Sequence, residues 1–89
     1  MEIKHTDGRF YLGDAKAPDG VLDYRFIDQS TVEAYHTETT QAVRGQGVAG
    51  LLFDAFIAYV EEHDLKVRAS CSYVEKKMAG DDAYSHRMV

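Results

Sequence analysis

The sequence predicts an α+β domain with an antiparallel meander, then a strand–helix–strand crossover, then a short C-terminal helix. Short segments rich in aromatic and β-branched residues, separated by turn residues, run as far as Thr39. Apolar residues then recur at spacings of three and four from Val48 to Glu62, as on one face of a helix. The alternating segment LKVRAS follows and predicts one more strand.

The meander is predicted from its turns. Thr6–Gly8 separates EIKH from GRFYLGD and contains the Asp-Gly pair of a hairpin turn. We expect Asp14–Gly20 to form a loop before the strand GVLDYRFID. Asp28–Ser30 is a tight connection to the strand TVEAYHTET. These segments predict three or four antiparallel strands.

The helix is expected to pack on this sheet, with Phe53 and Ile57 widening its apolar face. The strand after it should pair in parallel with the strand before it, through a right-handed crossover. Val67 and Cys71 are predicted on the same side of that strand, which Cys71 ends. YVEKKMA predicts a short helix stopped by Gly80, and a turn or short helix follows.

Composition restricts the class of protein. The 89 residues predict a single domain over positions 1–89, and a net charge of −5 argues against binding to nucleic acid. No apolar run approaches the roughly 18–20 residues that cross a bilayer, so we expect no membrane partner. The N-terminus lacks the apolar stretch of a secretory signal, and the single Cys71 cannot form an internal disulfide. These features predict a cytoplasmic protein.

Three glycines lie where the helix begins, in the segment QAVRGQGVAG. A glycine inside a helix costs roughly 1 kcal/mol relative to alanine, so some other role must compensate. A helix N-terminus offers unpaired N–H groups, and glycine lets an anion such as phosphate approach them. The other interpretation is a tight turn with close packing. No Lys-Ser or Lys-Thr follows as in a Walker loop, and GQGVAG follows antiparallel strands, unlike a dinucleotide fingerprint.

Arg44–Ala49 reads R-x-x-G-x-A and resembles the [Q/R]-x-x-G-x-[G/A] signature of the GNAT acetyltransferases. His36–Val74 is similar to a branch of very short GNAT-like proteins. Their pattern is H-T-E-V, then R-G-x-G, a helix, G-L-K-V and a strand ending in a cysteine. Ser70 and Ser72 stand where that branch has prolines, and Asp81–Tyr84 stands where it has an H-P-E-Y-type segment.

This resemblance implies an N-acetyltransferase that uses acetyl-CoA as cosubstrate. It also implies that a glycine-rich segment holds the pyrophosphate, mostly through backbone N–H groups: Val43, Arg44, Gly45, Gln46, Gly47, Val48, Ala49 and Gly50. The strand end formed by Thr37, Glu38 and Thr39 would pair with the pantetheine arm where two parallel strands separate.

The candidate catalytic residues are Cys71, His36, Glu38 and Tyr73. By the resemblance, Cys71 lies near the acetyl group, as a transient acceptor or as part of the pocket wall; a lone cysteine is otherwise a small buried side chain. His36 and Glu38 share a strand face, and either is a candidate general base. By the same resemblance, Tyr73, or alternatively Tyr84, would protonate the leaving thiolate; the other role for each tyrosine is aromatic packing.

Other functions remain open at this point: a CoA-binding or regulatory module without robust catalysis, or an interaction domain whose glycines serve only a turn. The acceptor is a small-molecule or protein amine. So short a chain lacks walls for the acceptor, and a homodimer through Phe10, Tyr11 and Tyr24 is one way to supply them. The scattered histidines have no ligand spacing, so no metal site is expected.

Overall fold

The computed structural model describes residues 1–89 and contains one five-stranded sheet with the strand order β1-β2-β3-β4-β5. Three helices follow or interrupt the strands, in the predicted order. The elements are β1 (Ile3–Thr6), β2 (Arg9–Asp14), β3 (Ala17–Asp28), β4 (Thr31–Thr39), a 3₁₀ turn (Gln41–Val43), α1 (Val48–Glu62), β5 (Lys66–Ala69), α2 (Ser72–Ala79) and α3 (Asp82–Ser85).

The antiparallel meander and the first hairpin are confirmed. Thr6 pairs with Arg9, so Asp7 and Gly8 form a two-residue connection between β1 and β2. Gly8 has a φ of 79°, a left-handed conformation that glycine adopts without steric cost. The strands β2, β3 and β4 continue the meander, each antiparallel to the one before.

The predicted loop over Asp14–Gly20 is wrong, because β3 already begins at Ala17 and Pro18 pairs with Gly13 of β2. A proline has no N–H to donate and usually interrupts a sheet. Here β4 extends only as far as the pair Gly20–Thr39, so Pro18 has no strand on its other side. Pro18 thus lies where β3 has a neighbour on one side only, and the turn shrinks to two residues between Asp14 and Ala17.

The parallel pairing across the helix is also confirmed. Strand β5 pairs in parallel with β4 over four positions, from Thr31–Lys66 to Ala34–Ala69. Because parallel neighbours need a crossover connection, α1 crosses one face of the sheet between them. The outer edge of β5 is itself covered, since Val67 N–H donates to Arg87 C=O and Val89 N–H donates to Val67 C=O.

All three helices contact a single core on one face of the sheet, which we call the helix face. Strand residues alternate with outward residues as expected, and the 15 buried members of that core are Phe10, Leu22, Tyr24, Val32, Ala34, Val48, Leu52, Phe53, Phe56, Ile57, Val60, Leu65, Val67, Val74 and Met78. Phe10 and Tyr24, proposed above as dimer contacts, are each only 4% exposed. For these two rings that expectation is wrong, since the core buries them; Tyr11, the third residue named, is half-buried.

The opposite face of the sheet, the open face, carries no helix. Many of its side chains are charged and pair across strands, as in Arg9 with Asp23 and Arg25 with Glu33. No helix of the structure has the length and apolar character needed to cross a membrane. The sheet thus has one face covered by the helices and one face accessible to other molecules.

Candidate functional site

The strands β4 and β5 separate before β4 ends. Their pairing stops at Ala34, whose C=O accepts from both Ser70 N–H (2.9 Å) and Cys71 N–H (3.0 Å). After this point the chain turns into α2, whereas β4 continues to Thr39. The edge of β4 from Tyr35 to Thr39 thus has no neighbouring strand on the β5 side, and a gap opens there.

A bulge in β4 decides which side chains face this gap. Asp23 pairs with His36 while the next residue, Tyr24, pairs with Ala34, so Tyr35 is an extra residue in β4. The extra residue shifts the alternation by one. Ala34 lies on the helix face before the bulge, and Thr37 lies on that same face after it.

Cys71, Thr37 and Tyr73 come together on the helix side of the gap. Cys71 Sγ–H donates to Thr37 Oγ1 at 3.3 Å. A methyl group placed on Gly50 would lie 3.9 Å from Tyr73 Oη, so this phenol stands beside the first turn of α1. Burial raises the pKa of Tyr73, and Asp54 and Cys71 raise it further, which keeps the hydroxyl protonated.

The position of Cys71 differs in one respect from the prediction. Strand β5 ends at Ala69, and Cys71 is the N-cap of α2. The strand ends early because Ser70 and Cys71 share one acceptor, Ala34 C=O, in place of continuing the ladder. Cys71 still packs against the same core as Val67, as expected.

The glycine-rich segment, called here the glycine loop (Val43–Gly50), connects the end of β4 to α1. Gly45 and Gly47 have φ values of 83° and 76°, which non-glycine residues rarely adopt. Gly47 caps α1 without a side chain, and the first bond of the helix runs from Leu51 N–H to Gly47 C=O. The N–H groups of the three residues between them have no backbone acceptor and point out of the helix start.

These two glycines do not serve close packing. A methyl group on Gly45 or Gly47 would meet no other atom within 4 Å. Their left-handed conformation bends the loop just before the helix start, where the N–H groups of residues 48–50 have no backbone acceptor. Arg44 folds back, with Nη2 donating to Thr39 C=O at 3.3 Å, at the end of the free edge of β4. The loop and the gap are therefore continuous.

The predicted pair His36 and Glu38 lies on the open face. The His36 Nε2 and Glu38 Oε1 atoms are 3.1 Å apart, and both side chains are largely exposed. They line a cleft of about 220 Å³, which we call the β3–β4 cleft. Its polar and apolar walls come from three neighbouring strands and the segment after β4: Arg9, Asp19, Val21, His36, Glu38 and Thr40.

Asp23 lies beneath this cleft and is 6% exposed. Both its oxygens accept from Arg9, at 2.6 Å from Nε and 3.0 Å from Nη2. This bidentate pair neutralises the buried carboxylate and raises the pKa of Arg9 through the hydrogen bond. The charge of Arg9 is thus already matched.

A family model for the GCN5-related N-acetyl-transferases matches residues 9–87 of the chain. The chain belongs to the GCN5-related N-acetyltransferase (GNAT) family. The matched range runs from the start of β2 to the segment that covers β5, so it includes the glycine loop, the gap and the β3–β4 cleft.

Individual proteins of similar structure or sequence were also found. The NMR solution structure of a GCN5-like protein from Staphylococcus aureus has the same fold, with a TM-score of 0.80 and 31% identity over 99% of this chain and 87% of that one. Protein NATD1 of Xenopus tropicalis is 41% identical, and that of Danio rerio 39% identical, over 56 residues. These 56 residues are 63% of this chain and 51% of each NATD1, so the match spans about half the length of those relatives.

The structure thus divides the GNAT site residues expected from sequence between two sides of β4. Cys71, Thr37 and Tyr73 lie on the helix side of the gap with the glycine loop, and His36 and Glu38 lie on the open face. Tyr84, the alternative to Tyr73, packs edge-on against Phe53 with ring centroids 5.5 Å apart. No three His, Cys, Asp or Glu side chains are grouped as a metal ion would require.

Sequence reasoning missed the role of Arg9, Asp19 and Asp23 around the β3–β4 cleft. Opposite charges directly across two antiparallel strands are a recognisable signal, and Arg9 does pair with Asp23 in the register of β2 and β3. That register depends on where β3 begins. Since Asp19 was assigned to a loop, its place beside Glu38 was not visible.

Proposed function

We propose that this chain binds acetyl-CoA and transfers the acetyl group to an amine. The observation that carries the proposal is the continuity of the glycine loop with the free edge of β4. Outward-facing N–H groups at a helix start suit a pyrophosphate, and an unpaired strand edge suits the amide groups of a pantetheine arm. Membership of the GNAT family supports the same cosubstrate.

In this proposal the loop residues hold the pyrophosphate mainly by backbone N–H groups. Arg44 contributes charge if its side chain leaves Thr39 C=O, a contact of 3.3 Å on an exposed group. Residues Thr37–Thr39 pair with the pantetheine arm, which directs the thioester toward Cys71 and Tyr73. The open surroundings of Gly45 and Gly47 leave room for these groups.

The chemistry then needs one proton acceptor and one proton donor. The amine loses a proton to His36 or Glu38, and its nitrogen bonds to the thioester carbon while the carbon–sulfur bond breaks. Tyr73 donates a proton to the departing thiolate; its raised pKa keeps that proton in place until then. Cys71 forms part of the wall around the acetyl group or accepts it transiently before the amine does.

Calorimetric titration with acetyl-CoA and turnover on a panel of amines test this function. Binding with turnover is the expected result. Binding without turnover on any amine would favour a CoA-binding or regulatory module. Absence of binding would mean that the glycine loop is only a turn, and the proposal would be withdrawn.

The position of Cys71 in the acetyl pocket is tested by alkylation. Acetyl-CoA should protect the thiol, and Cys71→Ala should reduce turnover far more than it reduces CoA binding. Cys71→Ser keeps a donor for Thr37 Oγ1 and serves as the matched variant. Equal alkylation rates with and without acetyl-CoA would place the thiol outside the pocket.

A further inference from the structure

The β3–β4 cleft has a defined charge. Arg9 is neutralised by Asp23, with both carboxylate oxygens engaged. Two further carboxylates line the cleft, Asp19 and Glu38, and no second Lys or Arg does. The cleft therefore attracts cations, and the net charge of −5 on the protein adds to this attraction.

Asp19 and Glu38 are diagonal neighbours on the open face, with Asp19 toward one end of the cleft and Glu38, bonded to His36, toward the other. Gly20 pairs with Thr39 and Val21 with Glu38, so Asp19 is two positions along β3 from the residue opposite Glu38. Such diagonal neighbours are about 7–8 Å apart on one face of a sheet. Asp19 Oδ1 is held by Thr40 Oγ1 at 3.3 Å, and Glu38 is held by His36.

The ends of the cleft are also chemically different. At one end His36 and Glu38 form a pair that can take up a proton, next to the free edge of β4. At the other end Asp19 has only the Thr40 hydroxyl beside it, a neutral donor. One end therefore offers an imidazole together with a carboxylate, whereas the other offers a carboxylate alone.

We propose that the β3–β4 cleft binds a short alkyl diamine as the acetyl acceptor. One ammonium group pairs with Asp19 and stays charged. The other lies at His36 and Glu38, loses one proton to that pair to become a neutral amine, and faces the gap where the thioester would lie. The second proton, which its nitrogen releases on acetylation, replaces the one that Tyr73 gives to the thiolate. This rests on the proposed acetyltransferase function for the reaction, but the binding of the diamine does not depend on acetyl-CoA.

The test compares putrescine with butylamine, which has the same four-carbon chain but a single ammonium group and resembles a lysine side chain. Binding is followed by NMR in the absence of acetyl-CoA, through the backbone amide signals of Gly20 and Val21 in the cleft wall. We expect putrescine to bind about threefold to fivefold more tightly, the effect of one partly exposed ion pair. Asp19→Asn should abolish this preference, because the second ammonium group then has no carboxylate to pair with.

Glu61→Gln is the control for net charge. Glu61 is exposed on α1, so this substitution removes the same charge as Asp19→Asn but outside the cleft. It should keep the preference for putrescine. Equal binding of the two amines, or a preference that survives Asp19→Asn, would overturn the proposal. Acetyl-CoA binding is titrated separately: if it succeeds while the preference is absent, the diamine proposal fails and the acetyltransferase function stands.

Discussion

At the scale of single residues, the open face contains one ion pair with a buried charge, that of Arg9 with Asp23. Asp23 is buried beneath the β3–β4 cleft and is satisfied by Arg9 alone. A buried carboxylate is tolerated because its partner is bidentate, and removing that partner leaves the charge uncompensated. The pair therefore matters more for what its loss would cost than for its net stabilisation.

Arg9→Met should lower the free energy of unfolding by about 1–3 kcal/mol, the cost of leaving a buried polar group without its partner. Arg9→Met combined with Asp23→Asn should recover much of that loss, because the uncompensated charge is gone. Urea denaturation of the two single variants and the double variant measures the coupling. Additive effects would mean that the two side chains do not depend on each other.

A second feature at this scale is His5, which stacks on Phe10 with ring centroids 4.0 Å apart. Its Nε2 atom is hydrogen-bonded to Tyr24 Oη at 2.6 Å. Burial lowers the pKa of His5, Asp7 opposes this, and His63 adds to it. Burial also raises the pKa of Tyr24 to about 12, with Tyr59 contributing, so the phenol stays neutral beside the ring.

Because the pKa of His5 is lower in the folded state than the ordinary 6.5, the fold favours the neutral ring. The stability that this provides is present above pH 6.5 and is lost as the pH falls below it. Lowering the pH from 7.5 to 5.5 should reduce the Tm of the wild type by about 1–3 °C more than that of His5→Gln. His86→Gln is the control, and an equal decrease in His5→Gln would contradict the assignment.

At the scale of elements, the junction of the glycine loop with α1 combines two needs. The backbone must adopt left-handed conformations at Gly45 and Gly47, and N–H groups must be left free at the helix start. A substitution at Gly47 therefore changes both the conformational energy and the site. Separating the two requires a pair of side chains that share the first cost.

Asn and Asp both tolerate the left-handed conformation and differ mainly in charge. Gly47→Asp should bind acetyl-CoA at least about tenfold more weakly than Gly47→Asn, since a carboxylate would face the phosphate groups. Both variants should fold. Gly47→Asp should be no less stable than Gly47→Asn, because an acidic N-cap is favourable at a helix start. Calorimetry and thermal melts of both proteins measure this, and equal affinities would mean that the loop does not bind phosphate.

Element order was largely predictable from the sequence. The period of three to four over Val48–Glu62 and the Asp-Gly turn after Thr6 are local signals, and both predictions were confirmed. The start of β3 was not predictable, because Pro18 reads as a loop residue until the length of β4 is known. The bulge at Tyr35 was equally invisible, since it depends on the register between β3 and β4.

At the scale of the whole molecule, all the helices lie on one face of the sheet and the other face is bare. Phe10 and Tyr24 are buried in the core, so a homodimer would have to use other residues. Tyr35 lies on the open face and is 43% exposed. The Cζ atom of Arg25 lies over its ring, 4.8 Å from the ring centroid. We propose this face, in place of those two rings, as the surface through which the chain dimerises.

Light scattering over a range of concentrations tests that assembly. We expect the mass of a dimer, twice 10.0 kDa, and a shift toward the monomer in Tyr35→Asp, which puts a charge into an apolar contact. Leu51→Asp, an exposed apolar residue on α1, is the control and should leave the mass unchanged. A monomeric mass with full acetyltransferase activity would show that no second copy is needed.

The sequence by itself determined the order and type of the elements and the resemblance of the glycine loop to the GNAT signature, because periodicity and glycine placement are local properties of the chain. Only the tertiary structure decided which site residues lie on the open face of the sheet and which lie on the helix face. His36 and Thr37 are adjacent in sequence, yet one lies on the open face and the other contacts Cys71. Strand pleating sends neighbours to opposite faces, and the Tyr35 bulge sets which residue goes to which. Arg9 and Asp19 joined the cleft for a similar reason, since strand pairing brings together residues that are distant in the chain.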